Sequence, residues 1–178
     1  RLKFLSSAGA ELARVHQVIA SYGLARPEVS FRLVSDESER LSTSGRGKLI
    51  EAVGNIYGAR IAEAMLELPG PGPAAPPLAS AAFVVTGLVG APTVSRGNRN
   101  YTILSVNGRW IQNRRLSFAI EQAYHGFLAN RRFPIAVIQI RVPSGDIDVN
   151  VHPAKTEVRF LREQIVFAEL QRSVRAAL

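Results

Sequence analysis

The stretch FPIAVIQIRVPSGDIDVNVHPAKTEVRF, residues 133–160, decides the fold. Its first ten residues are apolar at nearly every position, which predicts a central strand covered on both faces. PSGD predicts a turn. In DIDVNV, strict alternation predicts a second strand whose Ile147, Val149 and Val151 point inward. The quoted stretch therefore predicts the centre of a sheet and a neighbouring strand.

The rest of the chain supplies helices and further strands. Apolar residues at helical spacing predict helices at residues 10–23 (ending at Gly23), 47–58, 60–66, 114–128 and 162–178. Alternation and turn residues predict a hairpin at 29–44 and strands at 81–90 and 101–106. These elements predict an α/β fold, a two-layer sandwich of a mixed sheet and packed helices. We expect one domain over residues 1–178, with an exposed proline-rich loop at 69–77.

Composition narrows the class of function. The 178 residues carry a net charge of +8, which favours an anionic partner such as nucleic acid or nucleotide, although a basic domain without such a partner has the same balance. The absence of cysteine excludes disulfides, thiolate metal sites and cysteine nucleophiles. No apolar run approaches the roughly 20 residues of a membrane helix. The chain opens on RLKFL without an initiator Met, so we expect an excised fragment.

Two familiar site patterns fail. SGRGKL, residues 44–49, lacks the first glycine and the final hydroxyl residue of a phosphate loop, which favours a basic turn. His16, His125 and His152 have no partner at a metal-ligand spacing, so we expect no metal site. His152 precedes a proline at a strand end, which favours a structural role over a catalytic one.

Two places have the chemistry of an anion site. In VNGRWIQNRRL, Asn107-Gly108 predicts a tight turn and Asn113 a helix cap, which puts Arg114 and Arg115 in the first helical turn. Free N–H groups and guanidinium groups at one helix start suit an anion, but a solvated basic turn or pairing with distant carboxylates fits equally well.

The second place is the loop that carries Lys155. Pro153 fixes its own φ and restricts the preceding residue, so the loop is stiff. A lysine on such a loop is a positioned point charge suited to phosphate. Spacing alone leaves the alternative of an ordinary surface lysine open.

The run DVNVHPAKTEVRF resembles the signature of the MutL family of DNA mismatch-repair proteins. RLKFL at residues 1–5 and VNGR at 106–109, followed by a helix with AIEQAY, resemble the same family in the expected order. The resemblance implies the second, transducer-like domain of an ATPase region, following a GHKL-type nucleotide-binding domain. It also implies a left-handed βαβ crossover like that of a ribosomal-protein domain, against the general right-handed rule.

The resemblance assigns roles by position. It implies that Lys155 reaches the γ-phosphate of ATP and that Arg114 contacts DNA, with Arg109 a weaker candidate and Arg115 uncertain. ATP and Mg would be bound mainly by the upstream domain, whose motifs this sequence lacks, as it lacks the C-terminal dimerisation region. The fragment alone is therefore not expected to hydrolyse ATP.

The implied partners are DNA, the upstream GHKL domain of the same chain, a second copy in a homodimer of the full-length protein, and other mismatch-repair proteins, with no membrane. The implied location is the cytoplasm of a bacterium or the nucleus of a eukaryote. A gyrase-type transducer domain is an alternative, although the Gln-Thr-Lys of its lysine loop is missing. A basic nucleic-acid-binding module without nucleotide chemistry is the other alternative, and it requires Lys155 to be idle.

Overall fold

The computed structural model describes residues 7–70, 83–148 and 157–178. The chain divides into two compact units, Arg1–Ala62 and Glu63–Leu178. No helix in the described ranges is long and apolar enough to cross a membrane. Some predictions lie outside these ranges: those for RLKFL, for most of the proline-rich loop, and for Val149, Val151, His152, Pro153 and Lys155.

The first unit contains a helix, a hairpin and two short helices. Its elements are α1 (Ala8–Ala25), β1 (Arg32–Ser35), β2 (Ser38–Ser42), α2 (Leu49–Tyr57) and α3 (Ala59–Glu63). The predicted hairpin is confirmed, since β1 and β2 pair antiparallel across a turn in which Asp36 and Glu37 both have positive φ. The predicted end of α2 is also confirmed, because Gly58 has a φ of 93°.

The prediction for α1 was wrong in two respects. The helix continues past Gly23 to Ala25, and it buries the C-terminal residues Ala20, Gly23 and Leu24. The helical spacing of Val15 and Tyr22 predicts that both lie on the apolar face of the helix, but both are exposed. A Cβ on Gly23 would lie 3.2 Å from Ile56 Cδ1, so this glycine permits close packing and does not end the helix.

The second unit contains a five-stranded mixed sheet and two long helices. Its elements are β3 (Met65–Glu67), β4 (Val84–Gly90), β5 (Ser95–Arg96), β6 (Thr102–Val106), β7 (Arg109–Ile111), α4 (Arg114–Ala123), β8 (Phe133–Pro134), β9 (Ala136–Arg141), a 3₁₀ turn (Ser144–Asp146), β10 (Ile147–Asp148), β11 (Arg159–Phe160) and α5 (Glu163–Ala177). The sheet order is β3-β4-β9-β6-β7, in which β6 and β9 are parallel and the other pairs antiparallel.

The predicted two-layer α/β sandwich with a mixed sheet is confirmed. β9 is the central strand, and Val137 and Ile138, which point to opposite faces, are both buried, as its apolar sequence predicted. The connection from β6 through α4 to β9 is the βαβ crossover to which the left-handed expectation applies. The helix predicted at 60–66 ends at Glu63, because residues Met65–Glu67 pair with β4 as an edge strand.

Helices α4 and α5 form the second layer of this unit. Both pack on the face of the sheet that carries Leu104, Ile138 and Ile140. The apolar side chains of the two helices and of this face form one core. The spacing of Val166, Leu170 and Val174 in the sequence predicts one apolar stripe along α5, which is confirmed because all three are buried. The prediction that α4 reaches residue 128 was wrong, since the helix ends at Ala123 and Phe127 is exposed.

A glycine within β4 allows this strand to approach the central strand β9 closely. Gly87 has a φ of 140°, a backbone conformation that residues with a side chain rarely adopt. A Cβ at this position would overlap the carbonyl oxygen of Val137 on β9. The backbone of Gly87 also accepts a hydrogen bond from Leu68 N at 3.0 Å, which continues the pairing of β3.

Candidate functional site

A short antiparallel ladder joins the described residues on either side of the segment that contains Lys155. Ile147 pairs with Phe160 and Asp148 with Arg159. Phe160 is buried in the core of the second unit, and Ile147 packs against that core. Lys155 itself lies outside the described residues, and its flanking strands β10 and β11 both rest on this core.

A salt bridge joins the described residues that flank this segment, Asp146 before it and Arg162 after it. Arg162, the N-cap residue of α5, donates from Nη2 to Asp146 Oδ2 at 2.8 Å. The backbone N–H of Leu161 donates to Asp146 O at 3.0 Å. The Arg162 guanidinium also lies over the Phe83 ring, 4.9 Å from its centroid. Asp146 thus receives both a side-chain and a backbone bond from the segment that enters α5.

The Asn107-Gly108 turn fixes the end of the central strand. Asn107 and Gly108 have φ of 50° and 76°, which fits the predicted tight turn between β6 and β7. The Asn107 side chain donates from Nδ2 to Val142 O at 2.8 Å, and its Oδ1 accepts from Val142 N at 2.9 Å. The side-chain amide of Asn107 thus bonds both backbone groups of Val142, as a residue of a neighbouring strand would. These bonds fix the position of Val142, which directly follows β9.

The start of α4 has the predicted cap. Asn113 Oδ1 accepts from Leu116 N at 2.9 Å, which satisfies one of the free N–H groups of the first turn. Arg114 and Arg115 follow it in the first turn, both exposed. Arg109 on β7 is exposed as well. Within the described ranges, neither Arg109 nor Arg114 has a side-chain partner.

Arg115 is held by the start of α5. Its Nη1 donates to Glu163 Oε2 at 2.9 Å, and its guanidinium lies 6.0 Å from the ring centroid of Phe167. Glu163 Oε1 also accepts from Asn113 Nδ2 at 3.4 Å. The side chains of Arg115 and Glu163 are 52% and 30% exposed, so water weakens the pair. Of the two alternatives that the sequence left open for this helix start, pairing with a distant carboxylate describes Arg115.

The first turn of α5 thus joins both candidate places. Arg162 pairs with Asp146 beside the segment that contains Lys155, and the next residue, Glu163, holds the start of α4. Sequence reasoning missed Asp146, Arg162 and Glu163. Arg162 lies 16 positions from its partner Asp146, and Glu163 lies 48 positions from its partner Arg115. No local sequence pattern connects residues that are so far apart.

No group of three or more His, Cys, Asp or Glu side chains in residues 7–70, 83–148 and 157–178 could hold a metal ion. At the start of α4 the carboxylate of Glu163 pairs with Arg115 and leaves the exposed guanidinium of Arg114 beside the free N–H groups of the helix. This helix start can therefore contribute positive charge and hydrogen-bond donors to a phosphate.

Two solved structures have a similar backbone fold. The N-terminal domain of a DNA repair protein matches with a TM-score of 0.73 and 19% identity, over 92% of this chain and 52% of that one. The Aquifex aeolicus MutL ATPase domain complexed with ADP matches with a TM-score of 0.54 and 24% identity, over 79% of this chain and 46% of that one. These likenesses concern the fold.

Sequence comparison gives the family. The family model for the C-terminal domain of DNA mismatch repair protein matches residues 53–178. The DNA mismatch repair protein MutL of Desulforudis audaxviator is 38% identical over all of this chain and 30% of its own length. That of Streptococcus mutans is 42% identical over 92% of this chain and 24% of its own length. The chain belongs to the MutL family of DNA mismatch-repair proteins, and it spans 30% and 24% of the length of these two relatives.

Proposed function

We propose that residues 1–178 are the second, transducer-like domain of a MutL-type GHKL ATPase that acts in DNA mismatch repair. Family membership supports the process, and similarity to the Aquifex aeolicus ATPase domain supports the position within the ATPase region. In the full-length protein the domain follows a GHKL nucleotide-binding domain. The protein acts as a homodimer with DNA and other mismatch-repair proteins, in the cytoplasm of a bacterium or the nucleus of a eukaryote.

The first function of the domain is to present Lys155 to the γ-phosphate of ATP in the upstream domain. The observation that carries this proposal is the β10–β11 ladder beside the Asp146–Arg162 salt bridge, which together hold the described residues that flank Lys155. Pro153 is expected to stiffen the segment between them, and a charge on a stiff segment loses little entropy when it meets an anion. Lys155 thereby favours a closed arrangement when the terminal phosphate is present and stabilises the charge that develops during transfer.

ATP and Mg are assigned mainly to the upstream domain. Bound ATP supplies the phosphoanhydride that is hydrolysed, and this chain contributes only positive charge toward its terminal phosphate. We therefore expect no ATP hydrolysis by residues 1–178 alone.

The test uses the full-length protein with Lys155→Ala beside Lys48→Ala. Lys48 is an exposed lysine that pairs with Glu51 in the first unit, so its variant controls for loss of one positive charge. We expect Lys155→Ala to lower kcat of ATP hydrolysis by at least about tenfold, which is the effect of roughly 1.4 kcal/mol, with DNA binding retained. Equal ATPase activity in the two variants would refute the nucleotide role and leave a nucleic-acid-binding module without nucleotide chemistry.

The second function is to contact the DNA backbone through Arg114, with Arg109 as a further contact. Arg114 is supported by its exposure, by its lack of a partner in the described ranges, and by its place beside the free N–H groups of α4. Arg115 is a lesser candidate, because Glu163 occupies its guanidinium. Such contacts are independent of sequence and weaken with salt.

DNA binding is tested by titrating a labelled duplex at several salt concentrations with Arg114→Glu and Arg40→Glu. Arg40 is exposed on β2 and gives the same change of net charge elsewhere. We expect only Arg114→Glu to weaken binding clearly and to reduce the salt slope by about 1. If both variants bind as the unchanged chain does, Arg114 does not contact DNA.

A further inference from the structure

Four arginines outside the sites described above gather around the small β5–β8 ladder. In this ladder Ser95 pairs with Pro134 and Arg96 with Phe133. The cluster, called here the β5–β8 arginine patch, consists of Arg96, Arg99, Arg131 and Arg132. Nothing in the proposed roles of Lys155 and Arg114 uses these residues.

Arg99 is held firmly in this patch. It donates from Nε to Glu121 Oε1 at 2.6 Å and from Nη2 to Glu121 Oε2 at 3.1 Å. Its guanidinium also lies over the Phe133 ring, 4.3 Å from the centroid. The hydrogen bonds to Glu121 raise the pKa of Arg99 further, so its charge is permanent. The carboxylate occupies one edge of the guanidinium and leaves Nη1 outside the pair.

Of the other three arginines, two contact residues in or beside the β5–β8 ladder and one is exposed to water. Arg96 lies over the Tyr101 ring at 4.9 Å from the centroid. Arg132 donates from Nε to Ser95 Oγ at 2.9 Å and from Nη2 to Ser95 O. Arg131 is exposed in a left-handed turn and has no side-chain partner in the described ranges. Of these four positive charges, only that of Arg99 is paired with a carboxylate of the described residues, that of Glu121.

The patch lies on the same side of α4 as Arg114. Residues seven apart in a helix differ by about 20° in direction and by about 10 Å along the axis. Arg114 and Glu121 are seven residues apart, so they lie on the same face of α4, two turns from each other. Because Arg99 is bonded to Glu121, the patch also lies two turns beyond Arg114 on this face. Phe118 lies on that face between them and is 51% exposed. The opposite face of the helix, with Leu116, Ala119, Ile120 and Ala123, is buried.

We propose that the β5–β8 arginine patch is a second contact for the nucleic-acid backbone, continuous with Arg114 along the outer face of α4. This inference rests on the proposed DNA role of Arg114. Guanidinium groups fixed by stacking and hydrogen bonds bind phosphate at a low cost in side-chain entropy. A duplex carries roughly six phosphate charges in about 10 Å of its axis with both strands counted, and the strip can contact those on its own side. An exposed aromatic ring between basic groups also suits nucleic acid, since it can pack against sugar or an unstacked base.

The experiment measures the binding of the full-length protein, without substitutions and with the substitutions below, to a labelled 30-base-pair duplex as a function of salt. Arg131→Gln with Arg132→Gln removes two charges of the patch. Arg40→Gln with Arg46→Gln removes two exposed charges of the first unit and is the matched control. We expect the patch variant to lower the salt slope by up to about 1.8, at about 0.9 for each lost contact, and the control to keep the slope. Arg132 bonds Ser95, but Arg131 does not, so Arg131→Gln alone breaks no side-chain bond among the described residues. A reduced slope in this single variant therefore excludes loss of folding as the cause.

The outcomes separate this inference from the proposed function. If the patch variants match the control while Arg114→Glu weakens binding, the patch is not a contact and the role of Arg114 stands. If the patch variants reduce the slope while Arg114→Glu does not, the patch stands and the role of Arg114 is wrong. An unchanged chain that binds no duplex at low salt overturns both.

Discussion

At the scale of the residue, Gly87 is the position least able to accept a side chain. Its φ of 140° is unfavourable for other residues, and a Cβ would overlap the carbonyl oxygen of Val137. We expect Gly87→Ala to lower the free energy of unfolding by at least about 3 kcal/mol, measured by urea denaturation. Gly9→Ala is the matched control, because no atom lies within 4 Å of its added Cβ in α1. This control should be stabilised by up to about 1 kcal/mol.

Tyr124 gives a prediction about pH. Its hydroxyl donates to Gly90 O at 2.5 Å, and burial raises its pKa in the folded chain. An unfolded tyrosine titrates near pH 10, so above that pH the unfolded state binds fewer protons and the free energy of unfolding falls. At pH 7 we expect Tyr124→Phe to be less stable by about 1 kcal/mol.

That difference between the unchanged chain and Tyr124→Phe should shrink by about 1.4 kcal/mol per pH unit above pH 10. Urea denaturation of both proteins from pH 7 to pH 11 measures it, and the other titrating groups cancel in the comparison. A difference that stays constant to pH 11 would contradict the raised pKa of Tyr124.

At the scale of the element, the turn between β6 and β7 is also a clamp on β9. Asn107→Gly keeps the positive φ of the turn but removes both side-chain bonds to Val142. We expect a loss of about 1–3 kcal/mol from two backbone groups that lose their partner, and faster hydrogen exchange at Val142 N–H. Asn107→Ala should cost a further 1 kcal/mol or so, since alanine tolerates a φ of 50° poorly. Equal stability of Asn107→Gly and the unchanged chain would show that the clamp contributes nothing.

The elements also show which features a sequence can reveal. The apolar run of β9 predicted a central strand, and Asn113 predicted the cap of α4, because both signals are local. The buried face of α1 could not be predicted, since packing near Gly23 and Leu24 decides it. The pairing of Arg115 with Glu163 spans 48 positions, so the sequence left its role open. The role of Lys155 is still a prediction from family resemblance.

At the scale of the whole molecule, the expectation of one domain meets a chain of two compact units, Arg1–Ala62 and Glu63–Leu178. Gly9 lies in the first unit and Gly87 in the second, so their alanine variants report on each unit separately. If the chain is one cooperative domain, both variants shift a single thermal transition, in opposite directions. Two transitions, each moved by only one variant, would refute the expectation of one domain.

The first turn of α5 has a consequence for the order in which the chain acquires its structure during synthesis. Arg162 and Glu163 supply the partners of Asp146 and Arg115, which are made earlier. The salt bridges of Asp146 and Arg115 therefore cannot form on the ribosome until residues 162 and 163 have emerged and α5 has packed on the sheet. A nascent chain that stalls before residue 162 already contains Lys155 and the arginines of α4, but it lacks the partners of Asp146 and Arg115.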